Sequence, residues 1–218
     1  MFMGTCSYRQ FGSLGRLAVA VVALAAGTLL VLNSGCSHDG APGGGPVVVP
    51  LSYAPQHAKD SIRPYPATVP QDRIFVGKFE DKRDKMDAIG VNVEHSNPVQ
   101  VVAGTDPIEF FRQTLATQLR NAGLTVVDDV SQADRIITGD VTRFWVEESS
   151  NYQADIAATV RVSDKAGVSR WDGAASGHGE TFGKSLSPDN YREALSDAMV
   201  RFTYDSLLIN SGFQNALK

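Results

Sequence analysis

The chain has 218 residues, 43% of them hydrophobic and 20% charged, with 20 Lys+Arg against 24 Asp+Glu. These proportions suit one globular domain with additional segments, and without a basic excess or a basic stripe they argue against nucleic acid as a partner. The only cysteines, Cys6 and Cys36, precede the part that reads as folded, so no disulfide framework and no cysteine metal site is expected there.

The first element is a targeting segment, residues 1–35. Its only charges are Arg9 and Arg16, and the run LAVAVVALAAGTLLVL over 17–32 carries none. Sixteen residues fit a signal h-region and fall short of the ~20 that cross a bilayer, although an uncleaved signal anchor in the inner membrane is the alternative reading. The run ends in Ser34-Gly35-Cys36. Two small residues before a cysteine resemble a bacterial lipobox, except that Asn33 stands where Leu is usual and Leu32 lies one place early. Cysteine suits the role because its thiolate is the best side-chain nucleophile for thioether formation. Cys36 is therefore the expected lipidation site. Stable anchoring needs two or more acyl chains, since one binds only marginally. The mature chain would carry 18 basic and 24 acidic residues, a net charge near −6. Lipoproteins of this kind commonly stay in the inner membrane when Asp follows the cysteine. Here Ser37 follows, with Asp39 further along, which points to the periplasmic side of the outer membrane.

Residues 36–70 are expected to be a lipidated Gly/Pro-rich tether. Seven of the ten prolines fall between Pro42 and Pro70, and GAPGGGP alone holds four glycines. Such a stretch buries little apolar area against a large ordering cost. VVVPLSY could supply an edge strand, but Pro50 interrupts it and it is assigned to the tether.

A single domain is expected over 71–218. RIFVGKF (73–79) reads as a strand, followed by a charged loop. Asp106 as N-cap, Pro107 at the first helical position and Glu109 completing a capping box predict a helix start. Ile108, Phe111, Leu115, Leu119 and Ala122 then recur on one face, and Gly123 ends the helix. LTVVDD predicts a short strand and residues 135–149 a longer one. In YQADIAATVRVSD, Ala154, Ile156, Ala158, Val160 and Val162 alternate with Gln153, Asp155, Thr159 and Arg161, which marks a sheet with one apolar and one wet face. DKAG turns into a strand over 167–182. A closing helix starts at Ser187-Pro188, places Tyr191, Leu195, Ala198, Phe202 and Ile209 on one face, and stops at Ser211-Gly212, with Phe213 and Leu217 docking the tail. The expected fold class is α+β: a two-layer sandwich with a mostly antiparallel or mixed sheet of about four to five strands and two amphipathic helices on one face.

Candidate chemistry is sparse. Ser37-His38-Asp39 are neighbours, and neighbours cannot adopt triad geometry. His38, His57, His95 and His178 are scattered without metal-ligand spacing. The glycines at 173, 177 and 179 fall in a predicted strand with no helix opening behind them, which reads as close packing and not as a phosphate cradle. Asp128-Asp129 and Glu147-Glu148 read as solvated charge, and 80–87 as an exposed charged loop, with a partner contact as the alternative reading. Trp145 and Trp171, with Phe144, either form an apolar patch on the open sheet face or lie under the helices, and the register is not readable from sequence. No catalytic residue, cofactor or metal is expected. An enzyme, the minority alternative, would need His178, Glu180 and Asp172 to converge.

Over about 73–208 the chain resembles the YajG-type family of bacterial lipoproteins, through RIFVGKFEDKRD, DPIEFFRQTLATQLRNAGLTV, ADRIITGDVTRFWVEESSNYQADIAATVRV and the closing helix with YDSLL. The resemblance implies an envelope lipoprotein with Cys36 as the one functional position carried over. The expected function is a non-enzymatic, lipid-anchored cell-envelope protein that binds another envelope component. The alternatives are an auxiliary subunit of an envelope transport or assembly machine, or a wall or lipid hydrolase.

Overall fold

The computed structural model describes residues 45–65, 72–94 and 96–218. The lipobox-like junction, Cys36 and the apolar run 17–32 lie outside the described residues, as do His38 and His95. Among the described residues, no helix is long and apolar enough to cross a membrane.

Seven strands form one mixed sheet: β1 (Val47–Val49), β2 (Ile74–Asp81), β3 (Gly90–Asn92), β4 (Val99–Ala103), β5 (Arg135–Glu148), β6 (Tyr152–Asp164) and β7 (Ser169–Thr181). The order is β1-β4-β3-β5-β6-β7, with β2 also on β5. The long β5 takes two parallel neighbours in succession: β2 beside its first half (Ile74↔Arg135) and β3 beside its last residues (Asn92↔Glu148). Three helices pack on the sheet: α1 (Pro107–Asn121), α2 (Pro188–Arg201, continued by a π-helical turn Phe202–Leu207) and α3 (Ser211–Ala216). The α+β expectation holds, but the sheet has more strands and there is one more helix than expected. The three extra strands, β1, β3 and β4, are three to five residues long. Pieces that short carry no readable alternation. LTVVDD, conversely, contributes only a bridge between Val126 and Ile74.

The helix starts follow local chemistry. The Asp106 carboxylate accepts the N–H groups of Ile108 and Glu109 at 2.8 and 3.2 Å. The expected reciprocal half of the capping box is replaced, because the Glu109 carboxylate turns to Arg112 and Gln113. At the other end, Gly123 (φ 91°) donates to Arg120 and Leu124 to Leu119, a Schellman motif that only a residue tolerant of left-handed backbone closes cheaply. The closing helix differs from expectation at its end. Asn210 caps α3, so Ser211-Gly212 begins a helix and does not stop one, and Ile209 is exposed at the corner.

The core lies between the sheet and the helices. On β6, Ala154, Ile156, Ala158, Val160 and Val162 are all buried, as the alternation predicts. Phe111 of α1 packs edge-on against Phe79 and Phe202, tying β2, α1 and α2 together. Two bulges reset the phase: one between Val76 and Phe79, the other between Val141 and Arg143. Each lets residues an odd number apart face the core on one strand. The sheet margins are blunted. Arg112 donates to the Val76 carbonyl on β2, while Arg201 donates to His178 O and Ser206 accepts from Ser176 N–H on β7.

The largest departure concerns the expected tether. Residues 45–65 are docked on the domain. β1 pairs in parallel with β4, Val49, Ala58 and Tyr65 are buried, and the Tyr65 N–H donates to Ala122 O. The fastening is a buried carboxylate on α2. Asp197 accepts the N–H groups of Gln56, His57 and Ala58 at 2.8, 3.0 and 3.1 Å. An acceptor from outside the segment holds this proline-rich backbone in place, bent at residues 56–58 and running into a 3-10 turn at Lys59–Ser61.

Candidate functional site

The residues singled out for chemistry do not converge. Asp172, His178 and Glu180 lie along the solvent side of β7, each with its own partner: Arg161 at 2.9 Å, Asp155 at 3.0 Å, and the Asn151 side chain. Asp155 also takes Arg143 at 3.2 Å. Burial opposes the charge on Asp155, but hydrogen bonds from His178 and Arg143 win and hold its carboxyl below the ordinary range. Asp155 and His178, neighbours in the sheet register, line one open depression with Arg143, Arg201 and Asp205, but Asp172, paired with Arg161, and Glu180 lie outside it, so the three residues do not share a cavity. Among the described residues, no three His, Cys, Asp or Glu side chains cluster as metal ligands.

Of the three glycines expected to pack closely, Gly177 and Gly179 lie against the closing helix, while Gly173 faces the Trp171 ring of its own strand. A Cβ on Gly177 would collide with the backbone of Ala198 and Phe202, and one on Gly179 with that of Ala194 and Ala198. These glycines, with Ala194 and Ala198 opposite, bring α2 onto β7 at backbone distance.

Trp145 and Trp171 are on opposite faces. Trp171 pairs with Val162, whose side chain is buried, and stacks edge-on against Phe213 of α3 at 5.3 Å. Trp145 pairs with Asp155 on the open face, partly exposed, with Lys85 Nζ 4.9 Å from its ring centroid. The bulge before Arg143 places Phe144 in the core and Trp145 outside.

The open face therefore has two halves. Over β6 and β7 it is laced with ion pairs: Arg143–Asp155, Arg161–Asp172 and Arg170–Asp164. Over β1, β4, β3 and the end of β5 it is more apolar: Val48 is 55% exposed and pairs with Val102, Trp145 lies beyond, and the partly exposed Val91 sits between the exposed Gln100 and Glu147. Met86, 62% exposed, sits on the 80–89 loop next to Lys85. The loop read as exposed, with a partner contact as its alternative, thus borders the Trp145 side. Sequence reasoning missed the valines because the strands carrying them are too short to be seen.

At one end of the sheet a buried carboxylate orders the 182–187 loop. Glu148, fully buried, accepts Ser185 N–H at 2.8 Å, Leu186 N–H at 3.1 Å and the Tyr191 hydroxyl. Burial works against its charge, but these donors, with Asn92 beside it, keep the carboxyl below the usual glutamate value. Burial, and then the Glu148 charge, push the Tyr191 phenol far above its ordinary value. Tyr152, stacked edge-on with Tyr191 at 4.7 Å, accepts Ser187 N–H. Glu148 was expected to be solvated charge. It is a buried clasp, because β5 turns it to the helix face.

The sequence matches no family model and no curated protein. Among solved structures, a Xanthomonas campestris protein of family DUF330 superposes with TM-score 0.54 at 14% identity, covering 78% of this chain and 99% of that one. The two share a fold. PelC from Paraburkholderia phytofirmans, a dodecamer, gives TM-score 0.37 at 13% identity, covering 62% and 91% of the two chains. Lipoprotein GNA1162 from Neisseria meningitidis gives 0.34 at 12% identity, covering 52% and 86%.

Proposed function

We propose that the chain is a lipid-anchored, non-enzymatic cell-envelope protein, held through Cys36 and of the YajG-type kind, whose domain binds another envelope protein through the apolar half of its open sheet face. The observation that carries the reading is the division of that face. Val48, Val91, Val102 and Trp145 give this half apolar side chains, rimmed by the exposed Gln100 and Glu147 and next to a half locked in ion pairs, and apolar groups within a polar rim mark an interaction surface. The anchor reading rests on the charge-free run ending at Ser34-Gly35-Cys36, and Ser37 favours the outer membrane. A role as auxiliary subunit of an envelope machine is the finer version.

Two measurements test it. Intact mass and membrane fractionation of the wild type beside Cys36→Ala should show loss of residues 1–35 with added acyl mass only in the wild type. A photo-crosslinking residue at Trp145 should trap one discrete envelope adduct in cells, and the same residue at Asp172 should trap none. Equal adducts from both positions, or from neither, would remove the assigned face.

A further inference from the structure

Strand directions put several features at one end of the sheet. Asn92 pairs with both Glu148 and Val99, Glu148 with Tyr152, and Tyr152 with Thr181. These residues form one row across five strands. β1 runs parallel to β4, with Val47 beside Val101, so the chain enters β1 from the same end. Beyond that row, Thr181 is followed by Phe182 and Asn92 by Val93, both apolar. Phe182 is 89% exposed, the most exposed large hydrophobic of the described residues, and Val93 is 40% exposed.

The loop that presents Phe182 is built to hold its shape. The Glu148 carboxylate clamps Ser185 and Leu186, Tyr152 clamps Ser187, and Lys184 reaches back to Glu94 at 2.7 Å. Leu186 has φ 54°, a left-handed backbone that a leucine adopts only where its surroundings impose it. A fixed loop holding an aromatic side chain out in water needs an occupant. The turn at this end between β5 and β6 is Ser149, Ser150 and Asn151, without charge. The opposite end is crowded with ions: Arg73 and Lys165 on Asp134, Arg135 on Asp72, and Arg170 on Asp164.

We infer that the Phe182–Val93 end of the sheet is the surface the domain lays against a lipid bilayer, with the Phe182 ring seated at the headgroup boundary. The inference rests on the lipidation of Cys36 and adds an orientation to it. Because residues 45–65 are docked, only eight residues separate Cys36 from Gly45, and the nine steps between them, fully extended, reach at most about 32 Å at ~3.6 Å per residue. The 13 residues of β6 span about 43 Å at ~3.3 Å each. Turned upside down, the domain would hold Gly45 further from the membrane than the chain can reach. With the Phe182 end down, entry point, anchor and exposed ring all meet the surface, and a half-inserted aromatic whose neighbouring charges, Lys184 and Glu94, are paired with each other is what an interface accepts.

The test uses full-length protein processed in cells and reconstituted into vesicles of phosphatidylethanolamine and phosphatidylglycerol. An environment-sensitive fluorophore is attached at Phe182→Cys or, at the far end, at Val168→Cys, which is 55% exposed in the β6–β7 turn. The expected result is a blue shift and loss of most emission to nitroxide-bearing lipid at position 182, with neither at 168. Acylated protein that floats with the vesicles yet shows no quenching at 182, or equal quenching at both positions, overturns the orientation and leaves the anchor standing. Protein without acyl mass overturns the anchor, and the orientation falls with it.

Discussion

Asp197→Ala tests the claim that the proline-rich stretch belongs to the domain. The substitution removes the acceptor for three backbone N–H groups, those of Gln56, His57 and Ala58, at 2.8 to 3.1 Å. A hydrogen bond to a charged group contributes about 1.5–3 kcal/mol, and bonds that share one acceptor do not add in full, so a loss of about 3–5 kcal/mol is expected. For a domain of this size each kcal/mol lowers Tm by roughly 2–4 °C, which gives a drop of about 6–20 °C if the segment unfolds with the rest. If the segment peels away first, its amides regain water and the drop is smaller. Hydrogen exchange separates the two, because in both cases the amides of residues 56–58 must exchange faster, whereas those of β6 accelerate only in the first. Asp197→Asn keeps an acceptor oxygen in place and should fall between. Unchanged protection at 56–58 together with an unchanged Tm in Asp197→Ala would refute the fastening and return the segment to a tether.

Further outcomes follow from the clasp and the glycines. Glu148 is more acidic in the folded chain than in the unfolded one, so its contribution is complete above the ordinary carboxylate range and disappears as pH falls through its folded value. Glu148→Gln should therefore melt well below wild type at pH 7, by about 2–4 kcal/mol, and the gap should close as the pH is lowered past the ordinary glutamate range; a gap independent of pH would mean the carboxylate's charge is not what holds the loop. Gly179→Val must push back the backbone of α2, with Ala198 N only 2.6 Å from the added Cβ, and should cost at least ~3 kcal/mol in urea unfolding, while Ala174→Val on the exposed side of the same strand should be near neutral.

Local chemistry alone specified the helix starts at Asp106 and Ser187, the left-handed stop at Gly123 and the alternation of β6, because each depends on residues within a turn or a strand's length of one another. The same holds for the charge-free run ending at Cys36, whose meaning lies in the order of residues and needs no fold. What the chain order did not contain is how distant segments meet. A bulge in β5 decided that Phe144 goes in, Trp145 goes out and Glu148 becomes a clasp, since one inserted residue reverses every side chain after it. Strands β1, β3 and β4 exist because β5 is long enough to take a second neighbour, and not because three to five residues prefer to be extended. The proline-rich segment reads as tether because nothing within it can satisfy its backbone. It is ordered by Asp197, about 140 residues away in the chain, which supplies the acceptor that local sequence lacks.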